Sequence, residues 1–419
     1  MPPAMAATDE RVFVRAGASE ETRRAFRRAL GVLAFSQVVG WGTTLYLPAI
    51  LSEDIARGTG LSPELVFGGV TLMLLVSGAL GPTAGRLLQR HGARPCLVAG
   101  SLLVALGLVA LASAHGPFLF TLAWIVIGVG TPFALMQAPS TAMVQIAPDR
   151  ARRAIAIMFL FSGMSSTASW PVLIWMDGRF GWRGSLVVYA AVHALVCASL
   201  HLWGIPSRSR GTAAAPASTG SAEDPAPPPK AVPGAFPLAA LSLSLAGAIT
   251  WGVPLHVIAI LRDFGHGETA AVAIGALLGP AQVASRLVDL AGGHRLGILQ
   301  TGVIFMGLMP VALLIVLLAG GTLAGAILFM AAYGLSAGMI SIVRAVAPLR
   351  LFGRAAYAIM LGRLAVPQNL VFAAAPTAFA AVRHSFGSTA LVLLCLGAAT
   401  VAFLAMCVLA YRAGAEAAA

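Results

Sequence analysis

Charge is what this sequence has least of. Only 10% of its 419 residues are Asp, Glu, Lys or Arg, against roughly a quarter in an ordinary soluble domain. Acids are the scarcer sign, 15 against 27 basic residues, and none lies in the middle of a long apolar run. A pump for organic cations, or a symporter relaying protons through a buried carboxylate, would need one there. The four cysteines, Cys96, Cys197, Cys395 and Cys407, form no Cys-x-x-Cys pair and no metal-ligand spacing. Free thiols are expected, with neither a disulfide framework nor a metal site. No Gly-x-x-x-x-Gly-Lys-Ser/Thr motif occurs, and nothing reads as a soluble domain that could house one, so no ATP site is expected. The apolar runs also lack paired acids, a His-metal cluster or an activated serine. A membrane-embedded enzyme therefore has no visible catalytic set, and no cofactor is expected.

What is present is apolar. Hydrophobic residues make up 58% of the chain, and the mean hydropathy is +0.88. Several runs exceed the ~20 residues that cross a bilayer core. They are continuous rather than alternating, which selects helices over a barrel. The class is a polytopic α-helical membrane protein. A net charge of +12 would suggest nucleic acid in a soluble chain, but here its distribution decides. With the N-terminus threaded inside, 22 of the 27 basic residues fall on the inner side, and only Arg57, Arg179, Arg183, Arg262 and Arg383 fall outside. That excess places both termini in the cytoplasm.

Residues 1–29 read as a basic cytoplasmic tail, with Arg23, Arg24, Arg27 and Arg28 on one helix face. The first apolar run is full length and reads as an uncleaved span. Six spans follow, near 30–51, 65–88, 96–114, 119–146, 154–176 and 184–205. Their connections are short, including an outer loop at Ser52–Glu64. Pro139 and Pro171 lie inside spans and mark bends. Residues 206–235, rich in Pro, Ala and Ser, read as a flexible cytoplasmic linker. Six more spans lie near 236–262, 269–291, 295–319, 323–347, 356–380 and 388–411, and 412–419 is a short cytoplasmic tail.

The two sets have equal extent, 30–205 and 236–411. Trp41-Gly42-x-x-Leu45-Tyr46-x-x-x-Ile50-Leu51 aligns without gaps on Trp251-Gly252-x-x-Leu255-His256-x-x-x-Ile260-Leu261. Gly81-Pro82 followed by Arg86-Leu87 has a looser echo in Gly279-Pro280 followed by Arg286-Leu287. Six is even, so both sets start inside, and a pseudo-twofold axis along the membrane normal should relate them. The fold expected is twelve transmembrane helices in two parallel six-helix bundles with a cavity between.

The hairpin Gly81-x-x-x-Gly85-Arg86-x-x-x-Arg90-x-Gly92-x-Arg94-Pro95 resembles the loop between the second and third helices of the major facilitator superfamily. Gly181-Trp182-Arg183 opening the sixth span is similar to another habit of that family. The first span, Gly40-Trp41-Gly42 through Tyr46, resembles bacterial monocarboxylate- and oxalate-type members. The resemblance implies alternating access in a bacterial inner membrane, with spans 1, 2, 4, 5, 7, 8, 10 and 11 lining the cavity. It also implies a gating loop of Gly81, Gly85, Arg86, Arg90, Gly92 and Arg94. In the family a carboxylate of this loop pairs with arginine across the interface. Here Gly85 and Gln89 precede the two arginines, so another partner must hold the halves together. The fourth span also lacks the embedded arginine of many proton-coupled relatives.

Polar groups in the lining spans are the candidate solute contacts: Tyr46, Gln137, His256, Gln282, Arg363, Gln368 and Asn369. Tyr46 and His256 hold equivalent places in the repeat. The amides of Gln137, Gln282, Gln368 and Asn369 either bridge helices or touch solute. Gln368 and Asn369 follow Pro367, where the helix can open. Arg363 and Arg344 either snorkel to headgroups or supply an anion counter-charge. Gly-x-x-x-Gly spacings at 81, 275 and 334 suit close helix approach. The function expected is a secondary or facilitative transporter of a small organic anion, and its partners are a solute, the bilayer and a proton or exchanged anion. The alternative is efflux of toxic neutral or lipophilic solutes, including uncharged metalloids.

Overall fold

The computed structural model describes residues 20–207, 232–292 and 296–418. Most of the expected tail 1–29 and linker 206–235 therefore lies outside the described residues. So does the turn that closes the echo of the hairpin. Every regular element among the described residues is helical. The first half holds α1 (Glu20–Thr43), α2 (Pro48–Thr59), α3 (Pro63–His91), α4 (Ala93–Ala112), α5 (Pro117–Ala134), α6 (Gln137–Ile146), α7 (Ala151–Gly163), α8 (Ser165–Ala191) and α9 (Ala198–Gly204). A π-helical turn, Val192–Cys197, joins the last two. The second half holds α10 (Ala235–Asp263), α11 (Glu268–Gly275), α12 (Leu278–Gly292), α13 (Ile298–Ala319) and α14 (Leu323–Ala418).

Among the described residues, eight helical runs are long and apolar enough to cross a membrane, and α1 with α2, bent by 42°, makes a ninth. Two of these runs, of 57 and 94 residues, are far too long for one crossing of ~20 residues. They are folded at glycines: Gly181 (φ 65°, ψ 172°) in the first, Gly353 (φ 73°, ψ 170°) and Gly387 (φ 85°, ψ 170°) in the second. Gly92 (φ 81°, ψ 169°) makes the same corner between α3 and α4. This region of backbone space is essentially reserved for glycine, so one helix turns into the next with no loop.

Proline explains three of the breaks. Its ring removes an N–H and crowds the carbonyl four residues back. Pro48, Pro139 and Pro280 each have a helix break at that place: at Thr44 after α1, at Leu135 after α5 and at Ala276 after α11. Pro171 and Pro367 behave differently and lie within unbroken helix. The opening expected beside Gln368 and Asn369 is not there, because a proline in an apolar helix can be absorbed without unwinding where no water competes for the freed carbonyl. The expected outer loop Ser52–Glu64 is also corrected. Helix α2 continues to Thr59 and ends at Gly60 (φ 72°), and Ser62 caps α3 three residues before Leu65. Hydropathy marked where the apolar run ended, whereas the glycine ends the helix.

The apolar core has two parts. The larger crosses between the halves, joining Leu33, Leu88, Met143 and Ile155 to Leu243, Ile340 and Leu364. The smaller is built from first-half residues such as Leu51, Met73, Trp124 and Leu173, joined from the second half by buried Phe372 and Ala373 and by Trp251 at its edge. Outward-facing Leu195, Trp203, Leu318 and Phe386 are the kind of surface that lipid, not water, covers.

The corners give a direct check. Nothing lies within 4 Å of a Cβ built on Gly387 or on Gly397 of the same helix, so only the backbone distinguishes them. Gly387→Ala should lose about 1–3 kcal/mol through its positive φ. Gly397→Ala should be neutral or stabilising. Thermal unfolding of the two purified variants measures the difference.

Candidate functional site

The residues that close the space between the halves gather at one end, the face carrying the Arg86–Arg94 hairpin, here called the basic face. Glycines set the approach. A Cβ on Gly81 would collide with the carbonyl of Gly362, and one on Gly85 with the carbonyl of Ala358. Helices α3 and α14 thus meet backbone to backbone. The side chain of Gln89, where the resemblance expected an acid, donates instead to the Ala355 carbonyl at 2.8 Å. Arg354 returns the link, donating to the Gln145 carbonyl at 3.0 Å.

The ionic part lies beside this contact, between α7 and α12. Arg152 Nη2 meets Asp289 Oδ1 at 2.5 Å, with the carboxylate side chain 3% exposed. Arg152 also donates to the Leu296 carbonyl at 2.7 Å and to Thr301 at 3.1 Å. Asp289 is the one acid among the buried residues described. Toward the opposite face, hydrogen bonds and ion pairs among the described residues stay within one half. Arg183, packed over Trp182 at 4.1 Å, donates to the carbonyls of Gly58, Ala112 and Ala114. Arg383 pairs with Asp263 at 3.6 Å.

Above the closure lies a small cavity, with about 50 Å³ open to the centre of a water molecule and about 590 Å³ of empty space once its mouth and the solvent there are counted. Its apolar walls include Trp41, Trp251, Phe372, Met73, Leu135 and Leu361, and its polar groups are Ser77, Thr131, Gln137, Gln368, Asn369 and Arg344. Arg344 is its one charged residue. The guanidinium lies 5.0 Å over the Phe372 ring, and Nη2 sits 3.2 Å from the Met136 sulfur, a weak acceptor. Nε has no partner.

These contacts close into a ring around the cavity. Phe372 stacks on Trp251 at 5.5 Å and 10°, and Trp251 meets Trp41 across the halves at 6.1 Å. Trp41 Nε1 donates to Gln37 Oε1 at 3.2 Å, and Gln37 Nε2 donates to the Ala134 carbonyl at 3.0 Å. Ala134 ends α5 at the Pro139-induced break, and Met136 inside that break carries Arg344. Gln37 thus fixes the plane of Trp41 from the same break that positions the arginine.

A second arginine stands between the halves. Arg286 is 6% exposed, and its Nη1 lies against Gly163, where any side chain would displace it. Nε and Nη1 have no partner. Among the described residues neither Arg286 nor Arg344 has a salt-bridging acid. A buried cation without an ionic partner is expensive.

The expected contacts divide. Gln137, Gln368 and Asn369 line the cavity together. Tyr46 is half-buried at the α1/α2 break and outside the lining. His256 shares a hydrogen bond with the Pro376 carbonyl at 3.1 Å, and Gln282 packs through its backbone against Gly338. Arg363 is exposed on the outside of α14. In the hairpin, Arg86 donates to Thr83 at 3.0 Å, Arg90 is exposed and Arg94 is half-buried.

The Major Facilitator Superfamily model matches residues 32–376, and the chain belongs to that family of multi-pass membrane transporters. Among curated relatives, human monocarboxylate transporter 11 is 29% identical over 228 residues, 49% of this chain and 43% of the relative. Multidrug resistance protein MdtH of Cronobacter sakazakii is 28% identical over 198 residues, 46% of this chain and 48% of the relative. The matches span less than half the length of these relatives. Solved structures share the fold at low identity. The human organic anion transporter MFSD10 gives a TM-score of 0.67 at 14% identity, covering 93% of this chain and all of that one. A bacterial homologue of the iron transporter ferroportin gives 0.69 at 15%, covering 92% and 99%.

The closure predicts how the basic face opens. Asp289→Asn leaves Arg152 part-buried without its ion, a loss of about 3–5 kcal/mol for a buried pair. A Ser77→Cys probe in the cavity should then be alkylated faster by an impermeant reagent applied from the basic face. Unchanged labelling would mean that the glycine contact alone holds the closure.

Proposed function

We propose that this chain is a twelve-span secondary transporter that carries a small organic anion by alternating access. The observation behind the reading is the pair of buried guanidiniums, Arg344 in the cavity and Arg286 beside Gly163, neither matched by an acid. Dividing the two overlong runs at Gly181, Gly353 and Gly387 brings nine apolar runs to twelve. The positive-inside excess orients the basic face and both termini to the cytoplasm of a bacterial inner membrane. The state described is then closed to the cytoplasm. A monomer suffices, since each chain holds both halves and the cavity between them. With His256 held by a backbone carbonyl and no acid in the walls, exchange of anions or facilitated diffusion fits better than a carboxylate proton relay. The relatives named as monocarboxylate transporters lend support. Those named for multidrug resistance, together with the aromatic walls, keep export of neutral lipophilic solutes as the second reading.

Uptake of labelled organic acids into proteoliposomes separates the two. Arg344→Gln should lower uptake about tenfold or more, equivalent to ~1.4 kcal/mol of binding, whereas Arg363→Gln should stay near wild type. Full uptake by Arg344→Gln would favour neutral solutes. For orientation, a reporter inserted within 208–231 should read as cytoplasmic. A periplasmic signal would reverse the topology.

A further inference from the structure

We propose that the cavity takes an aromatic monocarboxylate, with its carboxylate on Arg344 and its ring against the Trp41–Trp251 wall. This rests on the organic-anion reading above and narrows it. Charge is the first argument. One guanidinium and no carboxylate face the cavity, so a single negative charge balances it. A dianion would leave its second carboxylate against apolar wall without a counter-ion, which costs more than it gains. Arg286 does not line this space.

The setting of Arg344 is the second argument. Its guanidinium lies 5.0 Å from the centre of the Phe372 ring, and that ring stacks on the Trp251 indole at 5.5 Å with the two planes 10° apart. The charge is therefore held by a ring face and a thioether, and Nε remains without an acceptor. A carboxylate supplies that acceptor, and the atoms beyond it meet aromatic surface. Trp41, tilted by 54° against Trp251, makes a second wall at an angle to the first. Centroid separations of 4.5–7 Å are those at which rings attract one another beyond simple burial. The lining is the third argument, because Trp41, Trp251 and Phe372 all face the same space. A two- or three-carbon acid would leave the indoles uncovered. The unpartnered Gln137 Oε1 and Gln368 Nε2 also offer an acceptor and a donor, which suits a hydroxyl or keto group near the carboxylate.

The test is competition and binding with benzoate, phenylpyruvate, lactate, oxalate and uncharged benzamide. The readouts are tryptophan fluorescence of the purified full chain and exchange in proteoliposomes. The aryl acids should bind at least about tenfold more tightly than lactate, oxalate or benzamide, and quench tryptophan emission. Trp251→Leu and, independently, Trp41→Leu should erase the preference of aryl acids over lactate. Lactate or oxalate binding as tightly as the aryl acids would overturn the aromatic proposal and leave the anion reading standing. Benzamide binding as tightly as benzoate, in wild type and in Arg344→Gln alike, would overturn both. No binding of either aryl acid at millimolar concentration would overturn the proposal, whatever the variants do.

Discussion

One asymmetry of charge governs this molecule. Among the described residues a single acid is buried between the halves, and that acid is committed to the closure. Asp289 is bound to Arg152 at the basic face, so none remains for Arg286 and Arg344 deeper in. Moving a charge out of water is costly and a partner is the usual remedy. The pair at the basic face has its remedy within the protein; under the anion reading proposed above, an entering anion would supply the cavity's without touching that pair.

The surrounding architecture fits that division. Glycine contacts bring α3 and α14 together where the closure lies, and the larger apolar core crosses between the halves there. The smaller core stays almost wholly within the first half. Proline-induced breaks place Tyr46, Met136 and Gln137 on non-helical or newly started backbone near the middle of the chain's spans. The ring from Gln37 through Trp41, Trp251, Phe372 and Arg344 to Met136 crosses between the halves twice. Any relative motion of the halves must change it, which links the cavity's walls to the motion of the closure.

Much of this was legible in the sequence. The apolar runs carried the helices, and the glycine-arginine hairpin carried the family. Gln137, Gln368 and Asn369 stood out because amides in mid-span need protein or water, and the structure sets them in the cavity wall. Arg344 and Arg363 show where that reasoning stops. Both are arginines near the inner ends of neighbouring spans, and hydropathy is blind to the rotation that buries one and exposes the other. Arg286 lies only five residues from the end of its expected span, so it read as an inner-loop charge. The paired positions of Tyr46 and His256 were visible, but His256 bonds within its own half. Asp289 stands near the end of the expected span 269–291. Its partner Arg152 lies 137 residues away in sequence, and only the packing of α7 on α12 joins them. Gln37 gave no signal, because a lone amide in an apolar run looks the same whether it bridges helices or faces lipid.

In the proposed transport cycle the Arg152–Asp289 end is a closure that opens below the cavity. Nitroxide labels at Arg153→Cys and Leu296→Cys, both exposed beside the pair, report the distance across it by pulsed electron resonance. Wild-type protein alone should give one short distance. During anion exchange a second, longer population should appear, and Asp289→Asn should enrich it without any solute. A single unchanged distance under all three conditions would contradict the account.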